Sequence, residues 1–230
     1  ITVEDVYNSF SLGIGKDGLA GYPLIDVYLT GKELKLAAEV DASVSDFMTT
    51  ARLYCSGLNF TFNPHRMILN KVTDCYLTRE DGERIEIQDD QLYRVVTDLY
   101  TGQMLGSVME MSYGLLKIEP KDKDGNPIEN LEDQAIMEGD KELKAWDAIA
   151  RYMKSFDDTD GNGISNVPEY YETTHGRKVV DESRNVIDLV KNPNKFSVMI
   201  VGIVLVLILI IILLVVLIRK LIKKRRRKKK

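Results

Sequence analysis

The sequence has few of the residues on which metal-dependent or nucleophilic enzymes rely. Of its 230 residues, two are histidine and two are cysteine. His65 falls in a predicted hairpin loop and His175 in an acidic segment, and neither belongs to an H-x-H or H-E-x-x-H pair. There is no G-x-S-x-G nucleophile elbow and no Walker loop, and GIGKDG is only a glycine-rich turn. The chain's own residues therefore predict no catalytic site.

The two cysteines, Cys55 and Cys75, are too few for a disulfide scaffold, and their spacing matches no zinc motif. They fall on neighbouring predicted strands, which leaves open either a Cys55–Cys75 bond or two partly buried thiols. We favour the thiols.

Positive charge is scarce outside the last twelve residues. Residues 219–230 carry ten Lys or Arg and no acid, which leaves residues 1–218 with 21 basic against 35 acidic residues, a net charge of −14. Because an acidic body repels the phosphate backbone, we expect no nucleic-acid partner.

An uninterrupted apolar run, residues 196–218, separates the acidic body from the basic tail. At about 1.5 Å per residue, a helix of this length spans the roughly 30 Å hydrocarbon core of a lipid bilayer. A buried helix of a soluble protein is the alternative, which the length of the run and the adjoining basic block disfavour. The positive-inside rule places the tail, residues 219–230, in the cytoplasm and residues 1–195 outside the cell.

These observations predict a single-pass protein of the cell membrane whose N-terminal part is extracellular. Such a protein normally needs a signal peptide, and neither a signal peptide nor an initiator Met is present in the sequence. We therefore expect the chain to be the C-terminal part of a longer protein.

Strand and helix patterns alternate over residues 1–156. Strands are predicted in YPLIDVYLTG, in GLNFTFNP with Leu58, Phe60 and Phe62 on one face, in LYRVVTDLY and in YGLLKIEP. Thr30 and Glu33 form a capping box that opens a helix, and KVTDCYLTREDGERIEI predicts a hairpin around an Asp-Gly turn. Another helix is predicted in KELKAWDAIARYMKSF.

This pattern predicts an α+β fold, a mixed α/β sandwich, followed by a single transmembrane helix. The predicted organisation is one domain at 1–156, an acidic extracellular stalk at 157–195, a transmembrane helix at 196–218 and a basic cytoplasmic tail at 219–230.

Four segments, in this order, resemble the C-terminal domain of the 5'-nucleotidase family. They are DVYNSFSLG at 5–13, YLTGKELKLAAE at 28–39, CSGLNFTFNP at 55–64 and YRVVTDLYTG at 93–102. The resemblance implies a two-domain parent. An upstream metallophosphoesterase domain would hold a pair of divalent metal ions, and this domain would supply the nucleotide pocket. The family's N-G-G-x-R motif would lie just before Ile1.

The resemblance also implies a base-binding clamp of two aromatic rings. Carried over position by position, the first ring falls at Leu12, with Phe10 as a neighbouring aromatic substitute, and the second at Tyr100. One wall is therefore aliphatic unless Phe10 reorients to replace it. The family's G-G-D-G turn is replaced by QMLGS, which lacks the acidic residue.

The stretch DTDGNGISNVPE at 158–169 has the ligand spacing of an EF-hand loop. Its candidate ligands are Asp158, Asp160, Asn162 and Glu169. Against this assignment, the apolar residue comes one place early and Pro168 disturbs the start of an exiting helix. A structural Ca²⁺ site that stiffens the stalk and an unliganded acidic turn both remain open.

Taken together, these features predict the nucleotide-binding half and membrane anchor of a cell-surface 5'-nucleotidase, a metal-dependent phosphohydrolase. The expected ligand is a nucleotide or nucleoside, and the fragment alone is expected to be inactive. The alternative is a non-catalytic surface adhesion or ligand-binding module that keeps the fold.

Overall fold

The computed structural model describes residues 1–49, 52–112 and 114–228. Within them the chain forms six α-helices and eight strands. In chain order these are α1 (Val3–Phe10), β1 (Leu24–Thr30), α2 (Gly31–Val44), β2 (Leu58–Phe62), β3 (Val72–Thr78), β4 (Arg84–Glu86), β5 (Leu92–Asp98), α3 (Leu99–Met111), β6 (Met137–Glu138), β7 (Lys141–Glu142), α4 (Ala145–Lys154), β8 (Lys178–Val180), α5 (Val186–Val190) and α6 (Lys195–Lys228). Short 3₁₀ turns lie at Leu131–Gln134 and Glu169–Glu172. The predicted α+β class is confirmed.

The chain divides into two compact units. The first comprises Ile1–Ala38, Tyr54–Asn59 and Cys75–Lys178, and the second comprises Glu39–Leu53, Phe60–Asp74 and Val179–Lys230. Strands β4, β3, β2 and β8 hydrogen-bond in that order, β1 pairs with β5, and β6 pairs with β7.

The core of the first unit forms on the antiparallel pair β1 and β5, which runs from Leu24 opposite Asp98 to Thr30 opposite Leu92. Alternate residues of β1 are buried, as a half-buried strand requires. Ile25 and Val27 make one cluster with Leu99 from the start of α3. The predicted strand YPLIDVYLTG is confirmed.

The predicted capping box of α2 is present. The Thr30 amide donates to the Glu33 carboxylate over 2.8 Å, and the Glu33 amide donates to the Thr30 hydroxyl over 3.3 Å. The same carboxylate accepts from Lys121 Nζ at 2.6 Å and from the Glu119 amide at 3.1 Å. Glu33 thus caps the helix and ties it to the segment that follows α3.

The predicted hairpin is also present. β3 pairs antiparallel with β4, and Gly82 in the connecting turn has a φ of +86°, a left-handed conformation that favours glycine. The strand β2 is confirmed, but its predicted two faces are not. Asn59, expected on the polar face, is buried, and its side-chain amide donates to Thr78 Oγ1 over 2.7 Å.

The predicted strand YGLLKIEP is wrong. Tyr113 lies outside the described residues, and residues 114–120 contain no strand. Leu116 and Ile118 are buried, which accounts for the alternation in the sequence. The Glu119 amide binds the carboxylate of Glu33 instead of a neighbouring strand, and only Lys121 forms an isolated bridge, to Tyr28.

The second unit contains a buried arginine and a buried carboxylate. Arg66 donates to the backbone carbonyls of Asn70 and Lys191, each over 2.7 Å. Glu39 accepts the amides of Lys71 and Val72 at 2.7 and 2.8 Å. These bonds satisfy backbone groups at the start of β3, in the loop before it and after α5.

Helix α6 ends the described chain. It is 34 residues long, and its segment Lys195–Lys223 is long and apolar enough to cross a membrane, with a mean hydropathy of 3.9 over an 18-residue stretch. Phe196 is buried, and the apolar side chains from Val201 to Ile222 are exposed.

Candidate functional site

The site is built on a backbone ladder between the end of α1 and the start of β1. The amide of Tyr22 donates to the Leu12 carbonyl over 2.8 Å, and the amide of Gly21 donates to the Gly13 carbonyl over 2.9 Å. Ile14 and Ala20 continue the pairing as an antiparallel bridge. The GIGKDG stretch is therefore the tip of a hairpin whose base is formed by residues 12–13 and 21–22.

A buried ion triad holds this hairpin. Lys144 Nζ donates to Asp17 over 2.7 Å and to Glu142 over 2.6 Å, and the amide of Lys16 donates to Glu142 over 3.0 Å. The hydrogen bond from Lys144 lowers the pKa of Asp17 below its ordinary value. A Cβ placed on Gly15 would lie 1.7 Å from the Glu142 carboxylate, so only glycine fits there without displacing the triad.

The hairpin places Tyr22 beside the start of α3. The Leu99 amide donates to the Pro23 carbonyl over 2.9 Å, which brings the first turn of α3 against the end of the hairpin. The rings of Tyr22 and Tyr100 stack with centroids 5.9 Å apart and planes inclined by 28°. This separation lies within the range of favourable aromatic pairs.

The structure links two of the three predicted site residues. Leu12 is bonded to the Tyr22 backbone, and the Tyr22 ring stacks on Tyr100, so Tyr22 connects the two predicted wall positions. Phe10 is the last residue of α1 and lies two positions before Leu12. Phe10, Leu12 and Tyr100 are 50%, 67% and 39% exposed.

The sequence reasoning missed Tyr22. The available signal was its place two residues before β1. The first residue of β1, Leu24, lies opposite Asp98 at the end of the strand that leads to Tyr100. Because β1 and β5 are antiparallel, the residues just before Leu24 and just after Asp98 meet at the same end of the sheet.

A second concavity lies on the β1–β5 pair of the first unit. It has a volume of about 520 Å³ and is lined mainly by charged side chains, including Asp26, Arg94, Asp122 and Asp133. Arg94 binds both carboxylate oxygens of Asp26 at 2.9 Å, and Asp133 pairs with Lys16. These charges are thus engaged with protein partners.

Residues 1–111 match the family model for the C-terminal domain of 5'-nucleotidase. They belong to the 5'-nucleotidase C-terminal domain family. No curated protein sequence matches the chain. The predicted family is therefore confirmed over the matched residues, and these include the hairpin, the Tyr22–Tyr100 pair and all of α3.

Two solved nucleotidases are similar to this chain. A 5'-nucleotidase precursor from Thermus thermophilus is 19% identical with a TM-score of 0.49, over 80% of this chain and 28% of that protein. The NAD nucleotidase of Haemophilus influenzae is 20% identical with a TM-score of 0.37, over 53% of this chain and 21% of that protein. The chain thus spans about a quarter of the length of either protein.

The calcium-like loop at 158–169 is closed by its own backbone. Asp158 accepts the amides of Gly161 and Gly163, each at 2.8 Å, and the bond from Gly163 lowers the pKa of its carboxyl group. Asn162 donates to Asp160 over 3.0 Å. Glu169 begins the 3₁₀ turn that follows. Ca²⁺ binding at Asp158, Asp160, Asn162 and Glu169 stays a prediction.

Across residues 1–49, 52–112 and 114–228, no three His, Cys, Asp or Glu side chains converge as a metal site. Cys55 and Cys75 are not joined by a disulfide, as we favoured. The residues that the structure describes thus supply no ligand set for the metal pair that the family resemblance implies.

Proposed function

We propose that this chain is the nucleotide-binding half and membrane anchor of a cell-surface 5'-nucleotidase-type phosphohydrolase. The observation that carries the proposal is the family match over residues 1–111. A supporting observation is that the exposed Tyr100 ring and the 10–13 segment, the two predicted wall positions, are connected through Tyr22.

Tyr100 is the residue that binds the base in this proposal. Base–aromatic stacking contributes about 1–3 kcal/mol per ring, because every nucleobase has a π-face. Leu12 gives the base an apolar contact, and Phe10 is the neighbouring aromatic side chain. The residues that follow Tyr100, 101–107, form part of helix α3 and include no acid. They offer no carboxylate to ring nitrogens or ribose hydroxyls, so the contact selects flat heterocycles more than one particular base.

The chemical step belongs to the parent protein. An upstream metallophosphoesterase domain supplies the metal pair, and this domain holds the nucleotide against it. The chain alone has no metal-binding cluster among its described residues and is expected not to hydrolyse phosphoesters.

Helix α6 anchors the protein in the lipid bilayer. Its apolar length supports a single span, and the basic block that begins at Arg219 supports a cytoplasmic C-terminus with the nucleotide-binding domain outside. The substrate would then be extracellular nucleotide, with the released nucleoside free for uptake.

The test is the affinity of the whole 230-residue chain for adenosine, measured by calorimetry in mild detergent. Tyr100→Ala is expected to weaken adenosine binding about tenfold, which is about 1.4 kcal/mol. This value is near the low end of the range of about 1–3 kcal/mol for base–aromatic stacking, because the Tyr100 ring is half-exposed. The matched control is Tyr170→Ala, since Tyr170 is also exposed but stacks on His175 at 3.8 Å. Equal effects of both substitutions, or no binding, would favour the adhesion or ligand-binding module.

A further inference from the structure

The ring of Tyr22 lies against Tyr100, one predicted wall of the base site, and against Gly13, the residue that follows the other predicted wall position, Leu12. It stacks on Tyr100, and it also packs closely on Gly13: a Cβ added to Gly13 would lie 2.5, 2.6 and 2.7 Å from three ring carbons of Tyr22. Gly13 has a φ of +82°, so glycine suits its backbone as well as its contact. The segment 10–13 and the Tyr100 ring thus share one aromatic ring as their common neighbour.

A nucleobase held between two walls needs a van der Waals contact on each face. At about 3.5–4.0 Å per carbon–carbon contact, the walls must stand roughly 7–8 Å apart with nothing between them. The Tyr22 and Tyr100 centroids are 5.9 Å apart, so no base fits between these two rings as they stand. The phenol ring of Tyr22 covers a π-face of Tyr100 that a base would otherwise use.

We propose that Tyr22 is an internal plug of the base site, and that its ring must leave Tyr100 before a nucleobase can stack there. The inference rests on the proposed function, because it concerns the same pocket. Tyr22 is then the residue that sets the apparent affinity of the site for a nucleoside. Because the nucleoside must displace the Tyr22 ring, its apparent affinity is lowered by the free energy of that displacement.

The backbone of Tyr22 is fixed while its ring is only half-buried. Its amide is bonded to Leu12 and its carbonyl accepts the Ala145 amide at 3.0 Å, so the main chain is held from both sides. Displacement of the plug therefore leaves the hairpin backbone in place and costs the ring its contacts with Tyr100, with Gly13 and with the Ile25, Val27 and Leu99 cluster. Since side-chain rotation is fast, the plug changes the affinity and leaves association rapid.

The experiment compares adenosine affinity across single variants of the full chain. Tyr22→Ala removes the plug and is expected to bind adenosine about fivefold more tightly than the unsubstituted chain. Tyr22→Phe keeps the ring and is expected to bind like the unsubstituted chain. Unchanged or weaker binding by Tyr22→Ala, with Tyr100→Ala still weakening binding, overturns the plug and leaves the proposed function standing.

Two further outcomes separate the two proposals. Adenosine binding by Tyr22→Ala alone, with none by the unsubstituted chain, supports both the plug and the pocket. Absence of binding by both chains, or binding that Tyr100→Ala does not change, overturns the proposed function and the plug with it.

A second measurement tests the plug without relying on a substitution that weakens the core. With ¹³C-labelled tyrosine rings, the ligand-free chain is expected to show a nuclear Overhauser contact between Tyr22 and Tyr100. Saturating adenosine is expected to abolish it. A contact that persists in the adenosine complex overturns the plug.

Discussion

Replacing Glu33 with Gln removes one negative charge from the largely buried hydrogen-bond network of Glu33, Lys121 and Thr30 and keeps the shape of the side chain. The carboxylate and its partner Lys121 are 12% and 14% exposed and lie 2.6 Å apart. Burial acts to raise the pKa of Glu33, but hydrogen bonds from Lys121 and Thr30 outweigh it, and the pKa stays below its ordinary value of 4.5. The charged form of Glu33 therefore stabilises the fold.

The size of the effect follows from the geometry. Removing one partner of a fully buried ion pair costs about 3–5 kcal/mol, and the residual solvent access of this pair lowers that figure. The amide oxygen of Gln can still accept one hydrogen bond at the helix start, which retains part of the cap. We expect Glu33→Gln to lower the free energy of unfolding by about 2–3 kcal/mol.

The assay is urea unfolding of the full chain in mild detergent, followed by the fluorescence of its single tryptophan, Trp146. The matched control is Glu83→Gln, which removes the i,i+4 partner of Arg79 in a pair whose side chains are each 59% exposed. Exposed pairs contribute little, so the control is expected to change stability by less than about 0.5 kcal/mol. Equal losses in the two variants would refute the reasoning.

The same network predicts a pH dependence. Because the folded-state pKa of Glu33 is depressed, its contribution is complete above the unfolded-state value of 4.5 and is lost as the pH falls through the lower folded-state value. The stability difference between the unsubstituted chain and Glu33→Gln should therefore be constant near neutral pH and shrink below about pH 4.5. A difference that grows on acidification would contradict the assignment.

Three further predictions concern other parts of the chain. Gly31→Ala should lower the free energy of unfolding in urea by about 1–3 kcal/mol, because its Cβ would lie 2.1 Å from the Gln88 carbonyl oxygen. Gly106→Ala, whose Cβ would have no atom within 4 Å, should raise the free energy of unfolding by about 1 kcal/mol. Similar effects of the two substitutions would contradict this prediction. Lys144→Met should lower both the melting temperature and the adenosine affinity, since it releases the hairpin, while Lys16→Met, at an exposed pair, should alter neither. Removal of α6 should release the chain from lipid vesicles in a flotation assay; continued co-flotation would exclude α6 as the anchor.

Local signals predicted local structure well. The capping box of Thr30 and Glu33 marks the start of α2, and the Asp-Gly turn marks the β3–β4 hairpin, because each depends on residues three or fewer positions apart. The failures depend on distant partners. The alternation at 114–120 matches that of a strand, yet the backbone amide of Glu119 is satisfied by Glu33, a residue 86 positions away.

Helix α3 and the plug were missed for different reasons. The sequence of α3 contains two glycines and β-branched residues, which lower helix propensity. Its start was nevertheless readable, since Asp98 accepts the Thr101 amide at 2.9 Å. The contact of Tyr22 with Tyr100 depends on the β1–β5 register, which no local pattern specifies. The family resemblance predicts the wall positions Leu12 and Tyr100 but does not predict Tyr22 beside them.

The most direct test of the central claim is to locate bound nucleoside by photo-crosslinking. The full chain would be irradiated with 8-azidoadenosine, digested and mapped by mass spectrometry, with excess adenosine as competitor. The account predicts competed labelling within residues 10–22 or within α3 near Tyr100. Competed labelling confined to other segments, or labelling that adenosine does not reduce, would contradict it.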